Sequence, residues 1–586
     1  MKTAFKVVAG AALLGLGTVW VLAGRSGDPA DGAPADEGPR VRLGVGLSAE
    51  DAEVWHHLDE GGGFLPLRFL QALEDAETGA SFLASMPRYG LVADPDDPLG
   101  LPIGFTAGTL YGDPRGELLV GVNCAACHSG LYTFRGTSMV IDGAPNLVDF
   151  EALFAELTRS ARRTIEDPVE LLRLARRMAE AGRHMPTPDA FFALDEDARE
   201  ALARVVDAEE GSRHAPVRAH LARSLHAAYH AETDEQAARL LEGAADGVPV
   251  SGDPDVDPHT AGLVSRLGSD LRLLRRRVDR LATIHDAFTR ETQAGPGRAD
   301  SFDAIWNLLV QAEAPVAMTA PVSIPHLFGY ERFHWVHWDG NTNTVMARDY
   351  AQAIALGADF DPATGRSSVL PQNVMALESV ARGIGAPAWP EDVLGAIDRG
   401  LAAQGAQIYA RECASCHTGE RVVPVAEVGT DAARARLFGD LHKDGKSYGE
   451  LLTELADRVM GLSFAEHGVS EAEVAAVRRA AEPTWRVTNG YRVRALDGIW
   501  ASPPYLHNGS VPTLADLLEP PEARPDSFLV GREYDPVKVG VDARRQPQSG
   551  WMFRTGEPGN DNGGHVYGTE LSADQKRALI EYLKTL

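Results

Sequence analysis

The longest run of helix-like periodicity in this chain lies between about residues 151 and 290. Leu171, Leu172, Leu174 and Met178 form one apolar stripe, and Leu263, Leu267, Leu271, Leu274 and Leu281 form another. That spacing, three and four residues apart, is the mark of an amphipathic helix. Leu, Ala, Arg and Glu dominate the region, so it predicts several packed helices. A Gly-, Pro- and Asp-rich stretch near Val248 to Pro258 predicts the loop that interrupts them. Further helices are predicted over Val393 to Ala410 and from Ser572-Ala573-Asp574-Gln575 to Leu586. Before residue 150, helical and loop patterns alternate, with turn signals such as Asp94-Pro95-Asp96-Asp97-Pro98. Gly295 to about Pro390 is rich in aromatic residues and Asn, and predicts short helices and ordered loops. Beyond Tyr491 the chain is rich in Pro, Gly and Asn.

The first residues follow a different pattern. Lys2 and Lys6 precede an apolar run from Val7 to Ala23, and Val21-Leu22-Ala23 offers a small-residue cleavage site before Gly24. Seventeen apolar residues are also the short limit of a membrane span. Residues 1–24 are therefore read as a signal peptide or a membrane anchor, and 25–44 as a flexible linker. Either reading sends the protein out of the cytoplasm: periplasmic or secreted, with an N-terminal membrane anchor as the alternative.

Composition narrows the function classes. With 586 residues the chain has room for two or three domains with full cores. It is 44% hydrophobic and 24% charged, ordinary for a soluble globular protein. The net charge of −27 disfavours a nucleic-acid partner, which would require a basic face. It is compatible with a small basic electron-donor protein, although sign alone selects no partner.

The chemistry lies in the cysteines. There are four, and all fall in two motifs: Cys124-Ala125-Ala126-Cys127-His128 and Cys413-Ala414-Ser415-Cys416-His417. Each is C-x-x-C-H, in which two thiols form thioethers to a haem and the adjacent histidine reaches the iron. One copy alone also fits a redox dithiol or half a zinc site; two complete copies predict two covalently bound c-type haems. No cysteine remains for a disulfide. The fold class that follows is mostly α: two cytochrome c-like haem domains with long ordered loops and a helical insertion. The segments are 45–150 (N-terminal haem domain), 151–290 (insertion), 291–390 (connecting region lining the haem pocket) and 391–586 (C-terminal haem domain).

His128 and His417 are thus the proximal ligands. What stands on the far side of each iron decides the function, because an open face allows oxygen or peroxide chemistry and a second strong ligand makes an electron relay. For the second haem the residues leave three candidates: Met460, His507 and His565. Met460 also suits an apolar helix position, and His507 a group bonding a propionate or a loop carbonyl. His226 and His230, four apart on a helix, read as packing rather than a metal site. His56, His57, His334 and His337 read as packing or capping groups, with the last two the ones placed to line a haem pocket.

The segment Tyr491-Arg492-Val493-Arg494-Ala495-Leu496-Asp497-Gly498-Ile499-Trp500, continuing through Pro503-Pro504-Tyr505-Leu506-His507-Asn508-Gly509-Ser510, resembles the signature of the bacterial di-haem cytochrome c peroxidase superfamily. Gly297-Arg298-Ala299-Asp300-Ser301-Phe302, Ala320 to Leu327, Trp335 to Asn341, Arg532 to Gly540 and Gly559 to His565 resemble its rubber oxygenase (RoxA/RoxB-like) branch more closely. The likeness covers both haem segments and nearly everything from Gly295 onward, and is weak across 151–290. It implies a bis-histidine second haem with His565 as distal ligand. It also implies an open first haem in an apolar, aromatic pocket, with Phe302, Trp306 and Trp338 as wall candidates beside His128. The function implied is oxygenase-like cleavage of an apolar alkene, such as polyisoprene or a related substrate, by dioxygen. The alternatives are reduction of hydrogen peroxide with electrons from a small donor, Trp485 or Trp500 assisting as relays, and a non-catalytic di-haem electron carrier. No acid/base carboxylate or amide for peroxide is evident in the matching motifs.

Overall fold

Around the first C-x-x-C-H motif the chain builds sheet, in a region whose pattern suggested helix and loop. In the computed structural model the described residues are 38–109, 116–181, 192–288, 291–310, 316–317, 319–332, 334–419, 421–477, 485–546 and 551–586. The signal or anchor reading of 1–24, and the linker as far as residue 37, lie outside them. Among the described residues no helix is long and apolar enough to cross a membrane.

Strand β1 (Arg40–Arg42) is followed by helix α1 (Ala49–His57), β2 (Leu65–Pro66), β3 (Phe105–Thr109), β4 (Leu118–Val122), β5 (Ser129–Phe134) and β6 (Thr137–Asp142). These make two three-stranded sheets, ordered β2-β4-β3 and β1-β6-β5. The β5–β6 hairpin closes through Arg135 and Gly136, both at positive φ (51° and 80°), with Phe134 opposite Thr137. Two consecutive positive-φ residues match the right-handed strand twist, and the glycine takes that conformation without a Cβ clash. Cys124 to His128 form a single turn between β4 and β5, so both sheets pin the motif.

The helical region follows its periodicity. It comprises α2 (Phe150–Glu166), α3 (Pro168–Ala181), α4 (Glu196–Val206), α5 (Ala215–His230), α6 (Asp234–Asp246) and α7 (Asp257–Ala287). The loop predicted near 248–258 falls between α6 and α7. Every leucine of the two stripes is buried, and with Phe64, Phe105 and Phe154 they form one continuous core beside the β2-β4-β3 sheet. Burying each such side chain contributes about 1.5–3 kcal/mol.

A connecting region then runs between the two motifs. Strand β7 (Arg298–Ala299) pairs antiparallel with β8 (Val322–Ser323), bracketing the short helix α8 (Ser301–Ile305), and α9 (Val345–Ala355) follows. Helix α10 (Arg399–Glu412) leads into the second motif. It starts on the Asp398 carboxylate, which accepts from the Gly400 and Leu401 amides, an N-cap that satisfies two orphan donors. After α11 (Tyr448–Glu466) comes the terminal helix α12 (Ala573–Leu583), opened by a capping box between Ser572 and Gln575. Helices α10 and α12 cross closely at Gly405, where a Cβ would lie 2.0 Å from the Ala578 carbonyl oxygen. Only glycine permits that approach.

Candidate functional site

His128 and the two cysteines before it sit on a turn held by asparagine side chains. Asn123 Oδ1 accepts from the Ala125 amide at 3.0 Å, while its Nδ2 donates to the Trp55 and Leu58 carbonyls. Asn146 Nδ2 donates to the Ala126 carbonyl at 2.9 Å. The turn is thereby fixed before any cofactor chemistry. His128 is buried at 3% exposure. Burial and the nearby Arg348 guanidinium hold its imidazole down to about pKa 3. It is neutral at physiological pH, the form that ligates a metal.

His128 opens onto a cavity of about 130 Å³. Its walls are mainly apolar and aromatic, including Phe150, Phe288, Phe302, Ile305, Trp338 and Trp485, with Asp300, Ser301, Ser323, His337, Arg348, Gln352 and Arg434 as polar interruptions. Phe302 is the hub of the aromatic face. It meets His337 edge-on at 4.9 Å, Phe438 at 4.8 Å and Trp485 at 5.5 Å, and the Arg434 guanidinium stacks over it at 3.9 Å. Arg434 is neutralised by buried Asp339 at 3.3 Å.

The second motif lines a larger cavity of about 270 Å³. His417 Nδ1 donates to the Arg494 carbonyl at 2.8 Å, which sets the ring's direction and leaves Nε2 free. Across from it stands His565, with the ring centres 6.4 Å apart. These two imidazoles are the residues that would hold the iron of a haem bound in this cavity. Burial and the His417 ring hold His565 down to about pKa 4, and burial lowers His417 as well.

The loop bearing His565 is stapled. The His565 amide donates to the Val428 carbonyl at 2.8 Å. Gly564, at φ 68°, packs so tightly that a Cβ would lie 2.3 Å from the Gly429 carbonyl carbon. Buried Arg524 donates to the carbonyls of Asn562 (2.6 Å), Gly564 (2.9 Å) and His565 (3.1 Å). His565 itself sits at φ 44°, a strained conformation for a non-glycine residue, held by these contacts.

The two cavities share a wall. Ser323, Ile324, Pro325 and Trp338 line both. Trp338 Nε1 donates to the Ser323 carbonyl at 2.7 Å, and the Arg494 guanidinium lies 5.3 Å from its ring centre.

The residues present fit a haem in the larger cavity. A haem brings two propionate carboxylates as well as an iron. This wall offers buried polar atoms without partners: Arg494 Nε, Thr430 Oγ1, Ser502 Oγ and both ring nitrogens of His326. Burial and the neighbouring Arg492 hold Arg494 well below its ordinary pKa, so an anion beside it would favour its charged form. In the smaller cavity the fit rests on Cys127 and His128 in the lining and on the guanidiniums of Arg348 and Arg434 in the wall, while the free thiol of Cys124, on the same turn, donates to Glu60 at 3.2 Å.

Residues 490–529 match the family described as RoxA-like, cytochrome c-like. The chain is also similar to the uncharacterized protein y4iJ of Sinorhizobium fredii (strain NBRC 101917 / NGR234), 28% identical across 91% of this chain and 90% of that protein. A second uncharacterized protein of the same strain, y4iM, is 30% identical over 37% of this chain and 48% of its own length. The RoxA-like segment supplies Tyr491, Arg492, Arg494, Tyr505 and His507 to the wall around His417. The match supports a c-type haem with its iron as cofactor and haem oxidoreductase chemistry.

Against this geometry the sequence candidates separate. Phe302 and Trp338 line the His128 cavity; Trp306 does not, being buried behind it against Tyr448 at 5.0 Å. Met460 is buried in the core on α11 and lines neither cavity. His507 reaches the larger cavity but stacks flat on Tyr491 at 3.9 Å. Trp485 lines the smaller cavity, whereas Trp500 is enclosed between Trp389 and Tyr534. Arg494 and His326 fall within the stretches from which the resemblance is read but do not stand out there, and Arg524 lies outside those stretches; their roles arise from contacts between distant segments.

Proposed function

We propose that this protein is an exported di-haem c-type cytochrome oxidoreductase with one open, reactive haem and one electron-transfer haem. In this reading Cys124, Cys127 and His128 hold the reactive group, and Cys413, Cys416, His417 and His565 hold the relay. The observation that carries the reading is the asymmetry of the two histidines. His417 faces a second imidazole at 6.4 Å, whereas among the described residues no ring contact joins His128 to another imidazole. Bound at His128, the group supplies an open iron able to activate dioxygen.

The surrounding residues then decide what reacts. Phe150, Phe288, Phe302 and Ile305 give an apolar alkene, such as polyisoprene or a related substrate, a surface to lie on, and they exclude water. Both atoms of dioxygen enter across the double bond, which breaks to two carbonyl ends, so no external electrons or protons are consumed. Trp338, in the shared wall, links the two sites. Lys2, Lys6 and the Val7–Ala23 run support export. If that run persists as an anchor, an insoluble polymer is the wrong substrate and a smaller alkene is the right one. A second reading, reduction of hydrogen peroxide with electrons from a small donor protein, is favoured by one observation: the imidazole of His337 in the wall of the His128 cavity.

The test is spectroscopic. Absorption and EPR spectra of the air-oxidised and dithionite-reduced protein, with and without peroxide or imidazole, should show one responsive and one unresponsive low-spin haem. Two unresponsive low-spin haems would leave only an electron carrier. Bound dioxygen as isolated, with indifference to peroxide, supports the oxygenase; rapid peroxide turnover with a reduced donor supports the peroxidase.

A further inference from the structure

His337 lines the His128 cavity, and its hydrogen bonds leave one ring nitrogen free to act as a base. Its ring lies deep in the molecule yet keeps accessible surface, because it faces the cavity. Nδ1 lies 2.9 Å from Asn341 Oδ1 and 3.0 Å from Thr342 Oγ1. The Thr342 hydroxyl spends its own proton on Asn341 Oδ1 at 2.8 Å. Both neighbours of Nδ1 are therefore acceptors, and Nδ1 must carry the ring's proton. The lone pair is then on Nε2. Backbone geometry fixes the pose: His337 sits at φ 68°, and the Val336 amide donates to the Thr342 carbonyl at 2.7 Å, closing the short loop that holds Asn341 beside the ring. Phe302 edge-on at 4.9 Å and Trp485 stacked at 6.0 Å prevent the ring from turning.

From this arrangement we infer that His337 is an acid–base residue of the His128 cavity, moving a proton on an O–O-bonded or similarly small protic ligand. This rests on the reading that the His128 site is open. With hydrogen peroxide, Nε2 takes the proton from one oxygen and delivers it to the other, which leaves as water when the O–O bond breaks. The overall change is H2O2 + 2 H⁺ + 2 e⁻ → 2 H2O. The proton that Nε2 moves is the peroxide's own; the two protons taken up overall come from solvent, and the two electrons come from a one-electron donor protein by way of the relay site. Alkene cleavage by dioxygen consumes no proton, so this residue gives the cavity a capacity that the oxygenase reading does not use.

The electrostatics agree with a base that starts neutral. Burial and the guanidiniums of Arg434, Arg348 and Arg492 all disfavour the imidazolium, while the Asn341 bond opposes them. The other groups facing the ring, Phe302, Trp485 and Thr342, carry no charge. Loss of function by protonation would appear only as pH falls through that lowered pKa, so the contribution of His337 should be level between about pH 5 and 8.

The test uses the haem-loaded full chain and two probes, hydrogen peroxide and hydrogen cyanide, followed by rapid-mixing absorption. Cyanide matters because HCN must lose its proton to bind iron, whether or not the enzyme turns over. His337→Gln should slow both reactions by about 10²–10⁴-fold while the EPR spin states of both haems stay as in the wild type. Asn341→Leu, which keeps the imidazole but frees its tautomer, should give a smaller loss of the same kind. Equal rates in wild type and His337→Gln would overturn the inference and leave the open-site reading standing. A wild-type low-spin signal that turns high-spin in His337→Gln would also overturn it, because the residue would then be an iron ligand. A wild type that binds neither probe would instead sink the open-site reading itself, and this inference with it.

Discussion

One five-residue motif occurs twice in this protein, in two opposite surroundings. At Cys124–His128 it is wedged between two sheets, with a buried cysteine and histidine and an aromatic wall opposite. At Cys413–His417 it caps a helix, is partly exposed, and meets a second imidazole in an arginine-lined cavity twice the volume. The motif therefore specifies attachment and nothing about reactivity. Reactivity is set by segments far away in sequence: Ser301–Trp338 for one cavity, Gly490–His507 and the His565 loop for the other. It also matters how each histidine is held. His417 has its Nδ1 anchored on a carbonyl, whereas His128 Nδ1 is buried without a bond of good geometry.

The largest test of this contrast removes one side of it. Replacing Cys124 and Cys127 together by alanine should lower the covalent haem content from two per chain to one in a pyridine haemochromogen assay. All response to peroxide or dioxygen should go with it, while the low-spin signal of the other site remains. Survival of the response would assign reactivity to the wrong cavity.

A smaller effect is expected from Arg524→Met. It deletes several charge-assisted bonds to the His565 loop, each worth about 1.5–3 kcal/mol, so the loop should release its ligand in part of the population. EPR should show a high-spin fraction at the second site that added imidazole restores. An unchanged spectrum would mean that Gly564 and the Val428 carbonyl suffice to hold the loop.

The smallest is Trp338→Phe, which keeps the aromatic wall but loses the bond to the Ser323 carbonyl, a cost of about 1 kcal/mol. Thermal stability should fall by a few degrees or less. Electron exchange between the sites, followed by rapid-mixing absorption after reduction, should slow. Unaltered exchange would remove Trp338 from the route.

What the sequence made legible was local. The stripes of α3 and α7 are periodic, so their burial could be read directly, and C-x-x-C-H announces itself. The sheets around the first motif were not legible because β4, β5 and β6 are buried on nearly every residue. A strand covered on both faces shows no alternation and mimics a buried helix segment. Trp306 failed as a wall residue for a related reason: the chain widens into a π turn over Trp306–Val310, which shifts the ring off the face that carries Phe302. His337 was flagged only as one of several histidines among aromatics, since its tautomer depends on Asn341 and Thr342 and no spacing rule encodes that. His565 was separated from His507 and Met460 by a family likeness, and the contacts of Arg524 and Val428 that hold it in place follow from no spacing rule.

The shared wall of Ser323, Ile324, Pro325 and Trp338 has a consequence of its own. Two sites that share these residues are coupled to the extent that a ligand in one moves the common wall. If a small molecule seated beside His128 displaces that wall and alters the midpoint potential of the neighbour, then oxidation or reduction of the neighbour must alter the affinity for that molecule by the same factor. On that condition the partition would act as a thermodynamic hinge, through which the filling of one chamber and the charge state of the other bias each other.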